Sequence, residues 1–134
     1  MTMQAIPFFL SLSVEPSAID DLNHVNNLKY VEWVQWVSQK HWEEKADKSV
    51  QEKYGWVVLN LNIDYKSPAF LGEELLLKTY ILNYKGVRSE RQTQIYRKAD
   101  NTLLAQAKVL WCLVDKEKQR PQRITEEIVK PFFE

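Results

Sequence analysis

Residues Asp20 to Trp36 read DDLNHVNNLKYVEWVQW, and the two halves of this stretch make different physical demands. The first eight residues hold two carboxylates, one of the chain's two histidines and three asparagines. The second half becomes a helix, expected from about Asn27 to Ala46. Leu28, Val31, Val34 and Val37 form one stripe, and Tyr30, Trp33 and Trp36 widen it. Only Lys29, Glu32, Gln35 and Gln39 remain as a polar ridge. A helix apolar over that much of its circumference has to be enclosed. Asn26 or Asn27 can cap its start, because an asparagine oxygen accepts one of the orphaned first-turn amides. Polar chemistry therefore sits at the mouth of a buried element.

Outward from the helix the period changes from 3.6 to 2. Before it, Phe8, Leu10, Leu12 and Val14 alternate with Phe9, Ser11 and Ser13, which predicts a strand with one buried face. After it, the charged stretch from His41 to Lys53 reads as the helix end plus a short helical connector closing near Gly55. Four more strands follow, over Val57–Tyr65, Leu75–Leu82, Val87–Arg97 and Leu103–Asp115. Short connections favour antiparallel neighbours, so these four are expected to form a meander. In the third, Arg88, Glu90, Gln92 and Gln94 should face water or a partner. The tail from Lys116 is charged and ends in a weak helical segment, Thr125 to Lys130. The expected architecture is α+β, a five-stranded antiparallel sheet wrapped round one long central helix, in a single domain spanning 1–134.

Composition narrows the function classes. Eighteen basic residues balance eighteen acidic ones, so there is no broad electrostatic grip on nucleic acid or an anionic membrane. With a single cysteine, Cys112, no intramolecular disulfide or cysteine-rich zinc site is available, and the residue reads as a small apolar filler in a strand. His41 lies several helical turns from His24 with no ligand spacing between them, so no metal is expected. The apolar run Ile6 to Leu12 follows no basic residue and contains Pro7, so it is read as a strand and not a signal segment. No window reaches the ~20 apolar residues of a membrane span. A cytoplasmic protein is expected.

Three passages carry a more specific resemblance: HVNNLKY at His24–Tyr30 with Asp20 four residues before it, IDYKSPAFLGEELLLKTYI at Ile63–Ile81, and NTLLAQAKVLWCLVD at Asn101–Asp115 followed by Pro121. Together they resemble the hotdog-fold acyl thioesterases, in the 4-hydroxybenzoyl-CoA thioesterase-like branch that also holds the plant acyl-carrier-protein enzymes. The resemblance implies a hotdog fold, a homodimer or homotetramer with its site across the subunit interface, and hydrolysis of an acyl thioester carried by coenzyme A or acyl carrier protein, without cofactor. It implies that Asp20 is the catalytic carboxylate, acting as nucleophile or general base, with His24 and Asn26 in support. Asn27, Tyr30 and Arg88 are the implied substrate contacts, Arg88 together with Lys66, Lys85 and Arg91 meeting the phosphates or an acidic carrier.

Each residue also has a plainer reading. Asp20 can simply cap a turn, His24 can be a structural hydrogen-bonding residue, Asn26 and Asn27 can be helix caps, the aromatic stripe can be core, and the basic residues can be solvated surface. Two positions depart from the family pattern: Asn23 stands where many members carry glycine, and Ala18 where a second aspartate is frequent. A non-catalytic acyl-binding protein and a hydratase or dehydratase are the alternatives on the same fold.

Overall fold

In the computed structural model, which describes residues 4–134, strand β1 (Phe8–Ser13) is followed by a 3-10 turn at Pro16–Ala18 and the long helix α1 (Asn27–Lys45). A short helix α2 (Lys48–Lys53) leads into β2 (Tyr54–Tyr65), β3 (Glu74–Lys85), β4 (Arg88–Arg97) and β5 (Thr102–Asp115). A two-residue strand β6 (Arg120–Pro121) and a turn of helix α3 (Glu126–Val129) end the order. One antiparallel sheet runs β1-β3-β4-β5-β2, with β6 added on β5. The α+β arrangement of a helix against a five-stranded sheet is as expected.

The path of β2 differs from a simple meander. Only β3, β4 and β5 are consecutive neighbours, while β2 pairs with β5 and β1 pairs with β3. The connection across residues 66–73 therefore carries the chain from one side of the sheet to the other. It does so beneath the start of α1, where Ala69 is fully buried. The edge strand β2 is bulged between Val58 and Asn60, and Val57 and Leu59 on either side of Val58 are half-exposed.

The buried face of α1 is Tyr30, Trp33, Val34, Val37, Ser38 and His41. It packs on the inner face of the sheet, where Leu75, Leu77, Ile95, Ala105, Ala107 and Val109 are sealed from water. At about 100° per residue, Leu28 falls some 160° and Trp36 some 120° round from Tyr30. They are accordingly 70% and 38% exposed, which corrects their place in the expected stripe.

A second apolar cluster closes the far end of the helix, and the C-terminal tail builds it. Ile124, Ile128, Val129 and Phe132 are buried against Ala46, Val50, Ile81 and Leu113. The Phe132 ring stacks on Trp42 and meets His41 edge-on at 4.7 Å. The tail is charged in composition but presents its apolar residues at helical spacing, so it docks.

The polar groups in this core are organised. Arg91, on the inner face of β4, is 7% exposed, which corrects its reading as a surface cation. Its Nη1 lies 2.8 Å from His41 Nδ1 and donates to Thr79 Oγ1 at 3.1 Å. Thr79 and Thr93 share a 2.9 Å hydroxyl contact beside them. Burial, and then the charges of Arg91 and Lys45, push the His41 pKa from 6.5 down to about 3, so the ring is neutral and accepts from the guanidinium. The unfolded chain binds this proton between pH 6.5 and 3 while the folded chain does not, so stability is complete above pH 6.5 and falls as pH drops through that window. His41→Gln should flatten the fall in melting temperature over that range; equal slopes in both proteins would contradict a neutral buried His41.

Candidate active site

The loop that opens on Asp20 is a tight turn closed by its own backbone and side chain. The Asp20 amide donates to His24 O at 2.8 Å, and the Asn23 amide donates to Asp20 O at 3.1 Å. Asp20 Oδ1 accepts the amides of Leu22 at 2.9 Å and His24 at 3.3 Å. Such a turn needs one left-handed residue, and Asn23 supplies it at φ 62°. Asparagine is among the few side chains that enter this region at modest cost, which is how the turn survives without glycine. The turn-capping reading of Asp20 is correct for one oxygen. Among the described residues, Oδ2 accepts no hydrogen bond.

The helix start is nearly, but not wholly, satisfied. Asn26 is the N-cap: its Oδ1 accepts from the Leu28 amide at 2.9 Å and its carbonyl accepts from the Lys29 amide at 2.9 Å. Its own amide donates to Ala18 O at 2.8 Å. That leaves the Asn27 amide, which has no acceptor among the described residues. An unpaired amide at the positive end of a 19-residue helix is a ready site for an oxyanion.

The crossing loop locks this end in place. Ala69 O accepts from the Val25 amide at 3.0 Å, and the Ala69 amide donates to the Tyr30 hydroxyl at 3.2 Å. Tyr30 is only 2% exposed, and burial raises its pKa against the opposing effect of the Ala69 amide, so the hydroxyl stays protonated. In the single chain its role is to hold the loop. Arg97 holds the loop from the other side: Nη2 donates to Pro68 O at 2.9 Å, Nε lies 2.6 Å from the Glu73 carboxylate, and Nη1 meets Asp100 at 3.0 Å. Glu73 in turn accepts from the Phe70 amide at 2.7 Å, and the Phe70 ring meets His24 edge-on at 5.4 Å. Tyr65 donates to Asn27 O at 3.2 Å.

Asp20, His24, Asn26, Asn27 and Tyr30 thus share one end of the molecule. Arg88 does not join them. It begins β4, whereas Arg97 at the other end of that strand contacts the crossing loop, and nine residues at ~3.3 Å separate the two by about 30 Å. Sequence reasoning missed Arg97 and Glu73. The one signal for them was the proline and glycine bracketing of the loop, at Pro68 and Gly72.

Tyr30→Phe removes the one acceptor that the buried Ala69 amide has among the described residues and should cost about 1–3 kcal/mol in urea unfolding. Asn23→Ala, which keeps the Cβ at positive φ but loses the short polar side chain that eases it, should cost about 1–2 kcal/mol, and Asn23→Gly much less.

A family model, acyl-ACP thioesterase N-terminal domain, matches residues 13–132 of this chain. The acyl-CoA thioester hydrolase YbgC of Escherichia coli O6:H1 is 34% identical over 92 residues, a stretch covering 69% of this chain and 66%, just under two thirds, of that relative. Among solved structures, the probable thioesterase YbaW of Escherichia coli superposes with a TM-score of 0.83 at 21% identity, covering 92% of this chain and 94% of that one. A mutant 4-hydroxybenzoyl CoA thioesterase complexed with 4-hydroxybenzoyl CoA superposes at 0.84 and 12% identity, covering 94% and 98%. These structures share the hotdog fold, and by the match over residues 13–132 the chain belongs to the acyl-ACP thioesterase family.

Proposed function

We propose that the protein hydrolyses acyl thioesters, releasing a free acid and a thiol. The observation that carries this reading is that one carboxylate oxygen, Asp20 Oδ2, and one amide, Asn27 N–H, both at the N-terminal end of α1, have no partner among the described residues. A thioester carbonyl placed between them meets both groups it needs. The amide stabilises the negative charge that develops on the carbonyl oxygen. Asp20 Oδ2 either accepts a proton as water attacks the carbonyl carbon or attacks that carbon itself. The carbon–sulfur bond then breaks and the sulfur departs as thiol, taking up the proton released by the attacking water. On the nucleophilic route water subsequently hydrolyses the acyl–aspartyl anhydride, which frees the acid, restores the Asp20 carboxylate and supplies that proton. His24 and Asn26 keep the turn and the helix start in register with the substrate, and Tyr30 acts through Ala69 as a positioning residue.

The family model is named for acyl carrier protein and the matched relative for coenzyme A, so both carriers are candidate substrates. Arg88 lies too far from Asp20 in its own chain to meet the same substrate, and would serve only from a second copy. A homodimer or homotetramer is supported by β2, a 12-residue edge strand with unpaired backbone and exposed Val57 and Leu59, the kind of edge that invites strand pairing. No described helix is long and apolar enough to cross a membrane, and we place the protein's work in the cytoplasm.

The test is thiol release from a panel of acyl-CoAs and acyl-carrier-protein thioesters. Asp20→Asn should lower kcat by about 10²–10⁴-fold, the usual worth of a positioned acid or base, without changing the melting temperature much. Full activity in that variant, or no release by the native protein from any substrate, would sink the assignment. Light scattering should give a mass of at least two chains, and a concentration-independent monomer would remove Arg88 from the site.

A further inference from the structure

The buried Arg91 has no carboxylate to neutralise it, and it lines a cavity. Of its five N–H donors, the two on Nη1 serve His41 and Thr79. Those on Nε and Nη2 have no acceptor among the described residues, and no ion pair forms there. These donors are not sealed from water, so they open on the cavity, where an anion would meet a charge that no carboxylate neutralises. The cavity of about 460 Å³ runs between the C-terminal half of α1 and the inner face of the sheet. Its charged lining residues are Arg91 and, at its exposed rim, Lys116, and no aspartate or glutamate lines it. Trp42, Trp56, Trp111 and Phe132 supply aromatic walls. The Trp111 indole N–H is sealed from water and so does not face the cavity, to which Trp111 contributes only part of its ring.

The volume suits a small organic molecule, and aromatic walls with a few convergent donors are the usual make-up of such a site. The donors on the free edge of a guanidinium match the two oxygens of a carboxylate. None of Asp20, His24, Asn26, Asn27 or Tyr30 lines this cavity. His41, beside it, lies fourteen residues beyond Asn27, about 21 Å along the helix axis.

We propose that this cavity is a binding site for the carboxylate of an aromatic or aliphatic acid, held by the free edge of Arg91 and flanked by the tryptophan and phenylalanine walls. The binding step stands whether or not Asp20 hydrolyses thioesters.

Because three tryptophans line the site, intrinsic fluorescence reads its occupancy. The full chain should show saturable quenching with benzoate and octanoate. Benzyl alcohol, octanol and benzylamine should bind at least about tenfold more weakly, since they forfeit a hydrogen bond between charged groups. Arg91→Gln should lose the preference for acid over alcohol. Should that variant fail to fold by circular dichroism, Arg91→Lys carries the test: it keeps the charge but loses the two-donor edge, with acid affinity lowered about threefold or more and alcohol affinity unchanged. Equal affinity for acid and alcohol, unchanged acid affinity in whichever of the two variants folds, or no saturable quenching by either acid would overturn the proposal. The source of the carboxylate is read in the Asp20→Asn protein. Displacement of benzoate by an ω-carboxyacyl-CoA, but not by its methyl ester, assigns the site to the far end of a substrate. Displacement by neither assigns it to a free acid.

Discussion

Ala69 is the residue on which the two halves of the molecule meet. Its carbonyl holds the Val25 amide and its amide is held by the Tyr30 hydroxyl, so both of its backbone groups are committed to the segment that enters α1. The chain has to pass there because β2 pairs with β5 while β3 starts beside β1, and the crossing between them runs under the helix start. A buried crossing is affordable only if its backbone groups are all bonded. The same bonds that satisfy the crossing fix the turn at Asp20 and the cap at Asn26, and so decide which groups are left over. Asp20 Oδ2, the Asn27 amide and the His24 ring nitrogens are left without a partner among the described residues, and the candidate site is made of groups that the turn and the cap do not use.

The opposite end of α1 is governed by a different constraint. There the helix presents Ser38 and His41 to a sheet face carrying Thr79, Ser89, Arg91 and Thr93, all buried. Phe8 stacks on one face of His41 at 4.9 Å, and Phe132 and Trp42 close round it. The dry surroundings keep the histidine neutral and leave the arginine as a charge whose free donors open only toward the cavity. The proposed acid–base site thus lies at one end of the helix and an unneutralised cation at the other.

Much of this was legible in the sequence, for physical reasons that can be named. The change from period 2 to period 3.6 at Asn27 marked the helix start, and the Asn26 cap agrees with it. The left-handed Asn23 followed from a turn that needs positive φ and a side chain able to adopt it. Periodicity could not tell which apolar residues of α1 face inward when nearly all are apolar. Leu28 and Trp36 were placed inside, although Ser38 and His41 occupy that face. The outward set Arg88, Glu90, Gln92 and Gln94 already implies that Arg91 alternates inward with Thr93 and Ile95, but composition reads an arginine as surface until the neighbours that bury it are known. Nor could periodicity foresee that Phe132, in a charged tail, folds back to stack on Trp42 and meet His41, 91 positions earlier, edge-on. These are long-range packing choices, and local pattern does not encode them.

The most direct measurement is a crystal structure of the Asp20→Asn protein with an acyl-CoA bound. The thioester carbonyl carbon is expected within about 3.5 Å of the residue 20 side chain, a near-attack separation, with its oxygen directed at the Asn27 amide. A thioester seated away from the helix mouth, or a carbonyl turned from Asn27 while another donor holds it, would contradict the assignment of this end of α1 as the catalytic site.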